Sequence, residues 1–447
     1  MATLNIDLNN KTGNIKPLHG VCCAPYAVAS GDEQTEINLH FREGGIPYCR
    51  LHDCGGPWGW GQFVDITNVF PDFSADENAP ESYNFHYTDE YITAIEKSGC
   101  KTYYRLGETI EWGSKKIKTA LPADFEKWAR ICEHIIMHYN EGWADGFSYN
   151  IEYWEIWNEP ENPGSRFGNS MWQGTDDDFL ELYIITAKHL KNRFPSIKIG
   201  GYGSCGFYTI TNPDSPPAYA RFVPFFKKLL EAVRAADCPL DFFSWHIYSE
   251  SVDNIVKHAE FARNTLDEYG FTDTESHLNE WNVNAEGGGF PEKHNMIGAS
   301  FNAAVFAALQ NTRYVDKAMY YCFSLNARYN GLINPIDGSD ELPWYTFVAF
   351  NKLYQLKNAV SVTSDNTAIY AAAAENNGKA AVIISNYSDE DTQTTINIEN
   401  LIGEKIASVK LIDNGSKLEE VFSVNAQDNF KLNLSVKKHT VILIELS

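Results

Sequence analysis

Two glutamates share a neighbourhood that suits acid–base chemistry. Glu159 follows Trp157 and Asn158 in EIWNEP, and Glu280 lies between asparagine and tryptophan in NEWN. Hydrolysis of a glycosidic bond needs one neutral acid to protonate the leaving oxygen and a second carboxyl group that is ionised. The amide of Asn158 could bind a sugar hydroxyl beside them. The pair therefore points to chemistry on a sugar, and the alternative is two ordinary glutamates in exposed loops.

Both glutamates belong to a repeating pattern of short apolar runs and longer amphipathic ones between residues 18 and 325. Such alternation is typical of parallel strands joined by crossover helices. Eight units in about 300 residues predict a (β/α)8 TIM barrel, an α/β fold. The candidate strands are HGVCCAPY, IPYCRLH, KTYYRL, EYWEIWNE, IKIGGYG, LDFFSWHIY, HLNEW and KAMYYCF.

The predicted barrel places both glutamates at one face. Glu159 ends the fourth candidate strand, and Glu280 lies near the end of the seventh. Reactive groups of TIM barrels lie at the carboxyl ends of the strands. Because the fourth and seventh strands face each other across the barrel, we expect the two carboxyl groups to converge on one small ligand.

The pattern changes near the C-terminus. From about residue 361 the chain has β-branched runs and polar turns such as NNG and DNG, without helical periodicity, which predicts a smaller all-β domain, a β-sandwich. The opening residues alternate in the same way, so they would add a strand to that domain or plug the barrel. We expect an N-terminal strand over 1–16, the catalytic barrel over 17–358 and the β-sandwich over 359–447.

The composition excludes several classes of partner. Lysine and arginine total 36, aspartate and glutamate total 59, and the net charge is −23. This field repels nucleic acid and anionic lipid and mildly favours neutral sugars over uronates. No stretch has the ~20 consecutive apolar residues of a transmembrane helix. The odd number of cysteines and the lack of an N-terminal secretory signal predict a cytoplasmic protein, unless a leader was removed; homo-oligomerisation stays open.

The string EIWNEPEN resembles the clan of retaining glycoside hydrolases built on TIM barrels, because Asn-Glu-Pro ends a fourth strand and a second glutamate ends the seventh. Over the whole chain the likeness is greatest to family 39, which includes β-xylosidases and α-L-iduronidases. The resemblance implies that Glu159 is the general acid/base and Glu280 the nucleophile. It further implies that Asn158 binds the sugar 2-hydroxyl and that Arg50 lies near Glu280 and keeps it ionised. We expect the apolar tryptophans around Glu159 to raise the pKa of this acid.

The sixth candidate strand ends in Trp245-His246-Ile247-Tyr248, which resembles the clan's histidine and tyrosine at that place. The resemblance implies that the hydroxyl of Tyr248 contacts the nucleophile. His52 lies two residues after Arg50, so strand alternation turns it toward the barrel mouth as well. We therefore expect His52, His246 and Tyr248 to contact the substrate; for each histidine the alternative is a core position.

The chain departs from the family pattern at two strand ends. The eighth strand, AMYYCF, lacks the tryptophan that many clan members place beneath the sugar, and it lacks the glutamate that the xylosidases carry nearby. The third strand ends in Gly107-Glu108, followed by Glu111 and Trp112, where xylosidases have apolar residues. We expect Glu108 and Trp112 to contact the substrate, and both departures leave the sugar undecided.

Tryptophan is frequent in the predicted loops at the mouth. Aromatic planes stack on the C–H faces of sugar rings, so these side chains predict an aromatic rim around a carbohydrate pocket, with Trp281 among the residues that bind substrate. The tryptophans concerned are Trp58, Trp60, Trp112, Trp172, Trp245 and Trp281.

Three further motifs are set aside. GYGSCG, from Gly201 to Gly206, matches a dinucleotide-binding pattern, but the residues that follow it do not begin a helix. His134 and His138 have the spacing of zinc ligands without an evident third ligand. The EGGG segment after the seventh strand is typical of a loop beside the site. We expect neither a metal nor a cofactor.

Together these features predict a retaining exo-glycosidase that removes a terminal sugar, with a β-xyloside as the first choice. An arabinofuranosidase, another β-glycosidase, an iduronidase and a transglycosidase are alternatives on the same site. The alternative from another class is a non-catalytic carbohydrate-binding barrel. Retention predicts carboxyl groups about 5–5.5 Å apart.

Overall fold

Two sheets organise the chain. The computed structural model describes residues 1–23, 40–54, 62–164, 166–283, 291–323, 329, 331–334 and 338–447. In these residues eight parallel strands close into a barrel, and nine further strands form a second sheet. The predicted TIM barrel with a C-terminal all-β domain is confirmed.

Each of the eight predicted strands overlaps one strand of the barrel, and neighbours pair in parallel in chain order. The barrel strands are β2 (Gly20–Cys22), β3 (Tyr48–Leu51), β4 (Lys101–Leu106), β5 (Tyr153–Ile156), β6 (Lys198–Ser204), β7 (Phe242–Tyr248), β8 (Glu275–Asn282) and β9 (Lys317–Tyr320).

Strand β5 is shorter than predicted, and the difference matters for the site. The sequence predicts a strand through Glu159, but β5 ends at Ile156. Trp157 and Glu159 have φ angles of 71° and 46°, which no strand accommodates. Such left-handed residues are costly and concentrate at functional sites. Glu159 therefore lies on a tight turn above the barrel, whereas Glu280 lies within β8 itself.

Helices follow the barrel strands, as their apolar spacing predicts. Local signals set several boundaries: Asp124 caps one helix, and Thr175 with Asp178 forms a capping box on the next. The helices are α1 (Ile66–Val69), α2 (His86–Lys97), α3 (Phe125–Glu141), α4 (Asp176–Arg193), α5 (Phe222–Ala235), α6 (Val252–Glu268), α7 (Met296–Gln310) and α8 (Trp344–Leu356), with 3-10 turns at Pro80–Ser82, Tyr208–Ile210, Pro217–Arg221 and Pro291–His294.

The nine-stranded sheet combines the first strand of the chain with its C-terminal part. Strand β1 lies between β10, with which it is antiparallel, and β13, with which it is parallel. The order is β15-β14-β17-β12-β11-β10-β1-β13-β16. Its strands are β1 (Ala2–Asn14), β10 (Asn358–Ser364), β11 (Ile369–Asn376), β12 (Lys379–Asn386), β13 (Thr392–Glu399), β14 (Lys405–Asp413), β15 (Ser416–Ala426), β16 (Phe430–Val436) and β17 (Thr440–Leu446).

This sheet has two buried faces. One core contains side chains of the sheet domain alone, so the sheet covers its own inner face as a sandwich does. The other face joins the core of the barrel through residues such as Ile383 and Leu443. Ser385 donates to the carbonyl of Ser300 at 2.7 Å, which ties β12 to α7. Helix α7 is apolar on all sides because it lies between the two units.

Among the described residues, every helix is too short or too polar to reach across a lipid bilayer.

Candidate active site

The turn after β5 fixes the position of Glu159. Its backbone N–H donates to the carbonyls of Tyr202 and Gly203 on β6, at 3.1 and 3.0 Å. Trp157 points outward, is fully buried and donates from its indole to the carbonyl of Met171. The left-handed turn is therefore held from both sides, and the carboxyl group of Glu159 faces the barrel axis.

The two glutamates converge, as the sequence predicts, and His246 joins them. Nδ1 of His246 lies 2.8 Å from Oε1 of Glu159 and 3.7 Å from Oε2 of Glu280. One oxygen of each carboxyl group and one imidazole nitrogen all lie within 4.8 Å of one another. A register shift between β7 and β8 brings His246 level with Glu280. One carboxyl oxygen of Glu159 therefore lies within 4.8 Å of one carboxyl oxygen of Glu280.

Glu280 is held by two donors. Arg50 donates from Nη1 to Oε2 at 3.0 Å, and the hydroxyl of Tyr248 donates to Oε1 at 2.5 Å. Arg50 is fully buried, so its charge acts on Glu280 at low dielectric. Both oxygens of Glu280 therefore receive a hydrogen bond, which orients the carboxyl group.

Arg50 also connects two other residues of the site. It donates from Nε to Oε2 of Glu155 at 2.7 Å and from Nη2 to Oδ1 of Asn158 at 2.6 Å. The side-chain NH2 of Asn158 has no hydrogen-bond partner among the described residues, although it is buried. Arg50 thus turns the Asn158 amide so that its donor is available to a ligand.

Glu155 is a residue of the site that the sequence analysis missed. It is fully buried, and Ser244 and Asn279 donate to its second oxygen at 2.7 and 2.6 Å. Burial alone would raise its pKa, but the charge of Arg50 and these hydrogen bonds lower the pKa of Glu155 below its ordinary value. A charged residue in the middle of a buried strand needs a partner inside the protein, so the sequence EYWEI could have identified Glu155 as part of the site.

The surroundings of Glu159 differ from the expectation. The sequence predicts that apolar tryptophans raise the pKa of this acid, and that prediction is wrong. Burial does raise it, but the hydrogen bond and charge of His246, followed by Asn162 and Arg50, lower the pKa of Glu159. Conversely, burial disfavours protonated His246, but Glu280 and Glu159 raise its pKa. The carboxylate of Glu159 and the protonated imidazole of His246 thus favour each other across their 2.8 Å contact.

One group among the described side chains has ligand atoms close enough together to hold a metal ion. It consists of Glu159, His246 and Glu280. All three residues are already engaged, because His246 is hydrogen-bonded to Glu159 and Arg50 donates to Glu280. An ion at this position would also face the charge of Arg50. The arrangement is better suited to moving a proton between neighbouring groups than to binding a cation.

Gly203 has no side chain, and the hydrogen-bond network of the site occupies the space that a side chain would need. Its φ is 62°, and a Cβ on it would lie 3.1 Å from Nη2 of Arg50, Oδ1 of Asn158 and Nε2 of His246. Such contacts are tighter than carbon normally tolerates, so one of the three side chains would have to move. The GYGSCG motif thus contributes to the site through the close approach of its backbone.

We predict that Gly203→Ala lowers kcat/KM on the order of 10²-fold, because small displacements of catalytic groups are costly. The left-handed backbone adds about 1–2 kcal/mol of destabilisation. Gly270→Ala is the matched control, since Gly270 has a φ of 88° and no atom within 4 Å of the added Cβ. Steady-state kinetics and denaturant unfolding of both variants provide the measurement. Equal losses of activity in the two variants would show that backbone strain, and not the contact of the added Cβ with the site, causes the loss.

The comparison with known families agrees with this geometry. The family described as Glycosyl hydrolases family 39 matches residues 2–313, which include both glutamates. This chain belongs to that family. The family named by resemblance from EIWNEPEN and the seventh strand is therefore confirmed.

Curated relatives in this family carry the name β-xylosidase. The β-xylosidase of Geobacillus stearothermophilus is 20% identical over 299 residues, which are 60% of this chain and 53% of the relative. That of Caldicellulosiruptor saccharolyticus is 21% identical over 258 residues, 55% of this chain and 46% of the relative. The chain spans about half the length of these curated relatives.

Solved structures share the fold over the full chain. A glucosidase from Croceicoccus marinus superimposes with a TM-score of 0.80 at 23% identity, covering 100% of this chain and 99% of that one. A monomeric β-xylosidase from Caulobacter crescentus gives a TM-score of 0.73 at 15% identity, with 100% and 99% covered. Likeness at these identities establishes the architecture of this family 39 chain.

His52 lies in the site, as strand alternation predicts. It is buried, and neither ring nitrogen has a hydrogen-bond partner among the described residues. Burial, then the charges of Arg105 and Arg50, hold the pKa of His52 well below its ordinary value, so the ring is neutral. A neutral imidazole offers one donor and one acceptor, both of which suit a sugar hydroxyl.

Glu108, which we expect to contact the substrate, is buried and hydrogen-bonded within the protein. Its two oxygens accept hydrogen bonds from the backbone N–H and the hydroxyl of Thr67, at 3.0 and 2.8 Å. Burial and the charge of Asp65 raise the pKa of Glu108. Glu108 therefore connects the end of β4 to α1. Trp112, four residues on, is 60% exposed and is available to contact an extended ligand.

The predicted aromatic rim is largely a packed core. Trp281 is fully buried against Phe301, Phe306 and Tyr320, so it cannot contact a sugar in this structure. Strand alternation explains this, because Glu280 points inward and its neighbour must point outward. Trp172 and Trp245 are buried as well, whereas Trp58, Trp60 and the EGGG segment lie outside the described residues.

Proposed function

We propose that this family 39 chain is a retaining exo-glycosidase that removes a terminal neutral sugar, with β-xylosides as the first substrates. One observation carries the proposal: one carboxyl oxygen of Glu159 and one of Glu280 lie within 4.8 Å of each other, and the two groups have different surroundings. Glu280 is bonded to a buried guanidinium and a phenol, whereas Glu159 is bonded to an imidazole and an amide. Carboxyl groups about 5–5.5 Å apart serve double displacement, and two oxygens within 4.8 Å of each other are compatible with that spacing.

In the first step Glu280 attacks the anomeric carbon, and the bond from that carbon to the leaving oxygen breaks. Glu159 gives its proton to the leaving oxygen. Nδ1 of His246 lies 2.8 Å from Oε1 of Glu159, where it can exchange a proton with this carboxyl group.

In the second step Glu159 takes a proton from water, and the water oxygen displaces Glu280 from the anomeric carbon. Two inversions at one carbon restore the original configuration. The free NH2 of Asn158 lies beside Arg50 and Glu280, where it can donate to the sugar hydroxyl next to the reacting carbon. Hydrogen bonds of that kind strengthen in the transition state.

The choice of a β-xyloside rests on the names of the curated relatives. Time-resolved proton NMR of 4-nitrophenyl β-D-xyloside hydrolysis tests the chemistry. We expect β-xylose to appear first and to mutarotate afterwards. Initial release of α-xylose would refute retention. A panel of 4-nitrophenyl glycosides tests the sugar in parallel, and inactivity on every member would instead favour a non-catalytic carbohydrate-binding barrel.

A further inference from the structure

A third carboxyl group, that of Asp53, opens onto the same mouth. Asp53 follows β3 and His52, and its φ of 54° turns the chain sharply after the strand. The hydroxyl of Tyr321 donates to Oδ2 at 2.9 Å, and the backbone N–H of Ile110 donates to Oδ1 at 3.4 Å. The side chain is 15% exposed, so the carboxyl group is held in place but not covered.

An aromatic wall connects Asp53 to the Glu280 end of the site. The ring of Tyr321 lies 5.3 Å from that of Tyr329 at 72°, and Tyr329 lies 5.7 Å from Tyr248 at 58°. Tyr248 donates to Glu280, so the wall begins at one carboxyl group and ends at another. Aromatic faces bounded by hydrogen-bonding groups suit a sugar ring.

Asn282 holds this wall in place. Its side-chain NH2 donates to the carbonyls of Tyr321 and Tyr329 at 2.7 and 2.5 Å, and its own oxygen accepts from Tyr320. Strand β8 therefore carries both Glu280 and the anchor of this wall. The distance between Glu280 and the wall is set by one rigid element, as a recognition site requires.

Asp53 retains unused capacity as an acceptor. A carboxylate has about four lone-pair positions, and the donors from Tyr321 and Ile110 fill two of them. Burial and the nearby charge of Glu280 raise the pKa of Asp53 to about 6, so the group is ionised at neutral pH. Holding a second carboxylate close to Glu280 is unfavourable for the fold alone, which suggests a role in binding.

We infer that Asp53 is a specificity-determining residue: its carboxylate accepts a hydrogen bond from a sugar hydroxyl remote from the anomeric carbon, and its charge excludes uronates. The inference rests on the proposed glycosidase function. Tyr321 positions Asp53, while the neutral ring of His52, with Nε2 3.3 Å from Oδ1 of Asp53, lies beside it. A carboxylate next to an imidazole matches a pair of adjacent ring hydroxyls. A uronate would instead bring a second negative charge toward Asp53.

The test combines enzyme variants with substrates that lack single hydroxyls. Asp53→Asn keeps the shape of the side chain but removes its charge. For the best neutral 4-nitrophenyl glycoside, we expect kcat/KM to fall at least about tenfold, because a hydrogen bond to a charged group is lost. One monodeoxy glycoside should lose activity with the wild type yet show no further loss with Asp53→Asn. That glycoside identifies the hydroxyl.

The same variants test the charge and the role of Tyr321. The activity on 4-nitrophenyl β-D-glucuronide relative to the neutral glycoside should rise at least about tenfold in Asp53→Asn. Tyr321→Phe should also raise the activity on the glucuronide relative to the neutral glycoside. The double variant Asp53→Asn/Tyr321→Phe should resemble Asp53→Asn, since both substitutions act on the hydrogen bond between these two residues. Asp428→Asn, an equal charge change at an exposed turn of the nine-stranded sheet, should leave both activities unchanged.

The outcomes separate this inference from the proposed function. A wild type that cleaves no glycoside would refute the function, and the inference with it. An active wild type whose Asp53→Asn variant loses the same factor on every deoxy glycoside, with an unchanged glucuronide ratio, would refute the inference alone. A purely structural role of Asp53 predicts that second result, because a misplaced wall would affect all substrates alike.

Discussion

Glu280→Gln should abolish turnover, with kcat reduced on the order of 10⁵-fold or more. Glutamine has the same shape: its oxygen can accept from Arg50, and its NH2 can donate to the hydroxyl oxygen of Tyr248, at positions where the hydrogen bonds of Glu280 measure 3.0 and 2.5 Å. The folded state should therefore survive, and only the nucleophile is lost. Stopped assays with 4-nitrophenyl glycosides measure the rate, and circular dichroism checks the fold.

A comparison with Glu159 distinguishes the two carboxyl groups. Glu159→Ala should keep substantial activity on substrates whose leaving group needs no proton, while losing activity on alkyl glycosides. Azide should rescue both alanine variants with opposite products: an α-glycosyl azide from Glu280→Ala and a β-glycosyl azide from Glu159→Ala, starting from a β-glycoside. Undiminished turnover by Glu280→Gln, or azides of the reverse configuration, would contradict the assigned roles.

The pair of glutamates could be predicted because each lies beside a recognisable strand end. The alternation of apolar runs located all eight barrel strands, and the barrel geometry then placed Glu159 and Glu280 at one mouth. The same alternation could have excluded Trp281 from the site, since Glu280 already occupies the inward position. A tryptophan near a strand end therefore predicts a rim residue only where the strand alternation turns its side chain inward.

Other features depend on contacts between distant parts of the chain. Tyr321 and Asp53 are 268 residues apart, and no local pattern relates them. The lowered pKa of Glu159 arises from its hydrogen bond to His246, which requires the register shift between β7 and β8. The tryptophans near Glu159 in the sequence predict an apolar environment and a raised pKa. One charged neighbour at hydrogen-bonding distance has a larger effect on the pKa than several apolar neighbours.

Arg50 should be the residue whose loss affects both stability and catalysis. Its guanidinium is fully buried and donates to Glu155, Glu280 and Asn158, a fork that no other side chain reproduces. Arg50→Met leaves Glu155 buried without its cation, so the free energy of unfolding should fall by about 3–5 kcal/mol. Because Glu280 and Asn158 lose their orienting donor, kcat should fall at least about 10³-fold. Urea unfolding and steady-state kinetics measure the two effects.

The double variant Arg50→Met/Glu155→Gln separates these effects. Removing both charges replaces a broken buried ion pair by neutral groups, which is often tolerated, so most of the lost stability should return. Activity should not return, because Glu280 and Asn158 remain without their donor. Arg313→Lys, at an arginine whose side chain is 65% exposed, is the control for mutating an arginine and should change neither quantity. If activity recovered together with stability, Arg50 would support only the fold; if neither recovered, loss of packing and not of charge would explain the single variant.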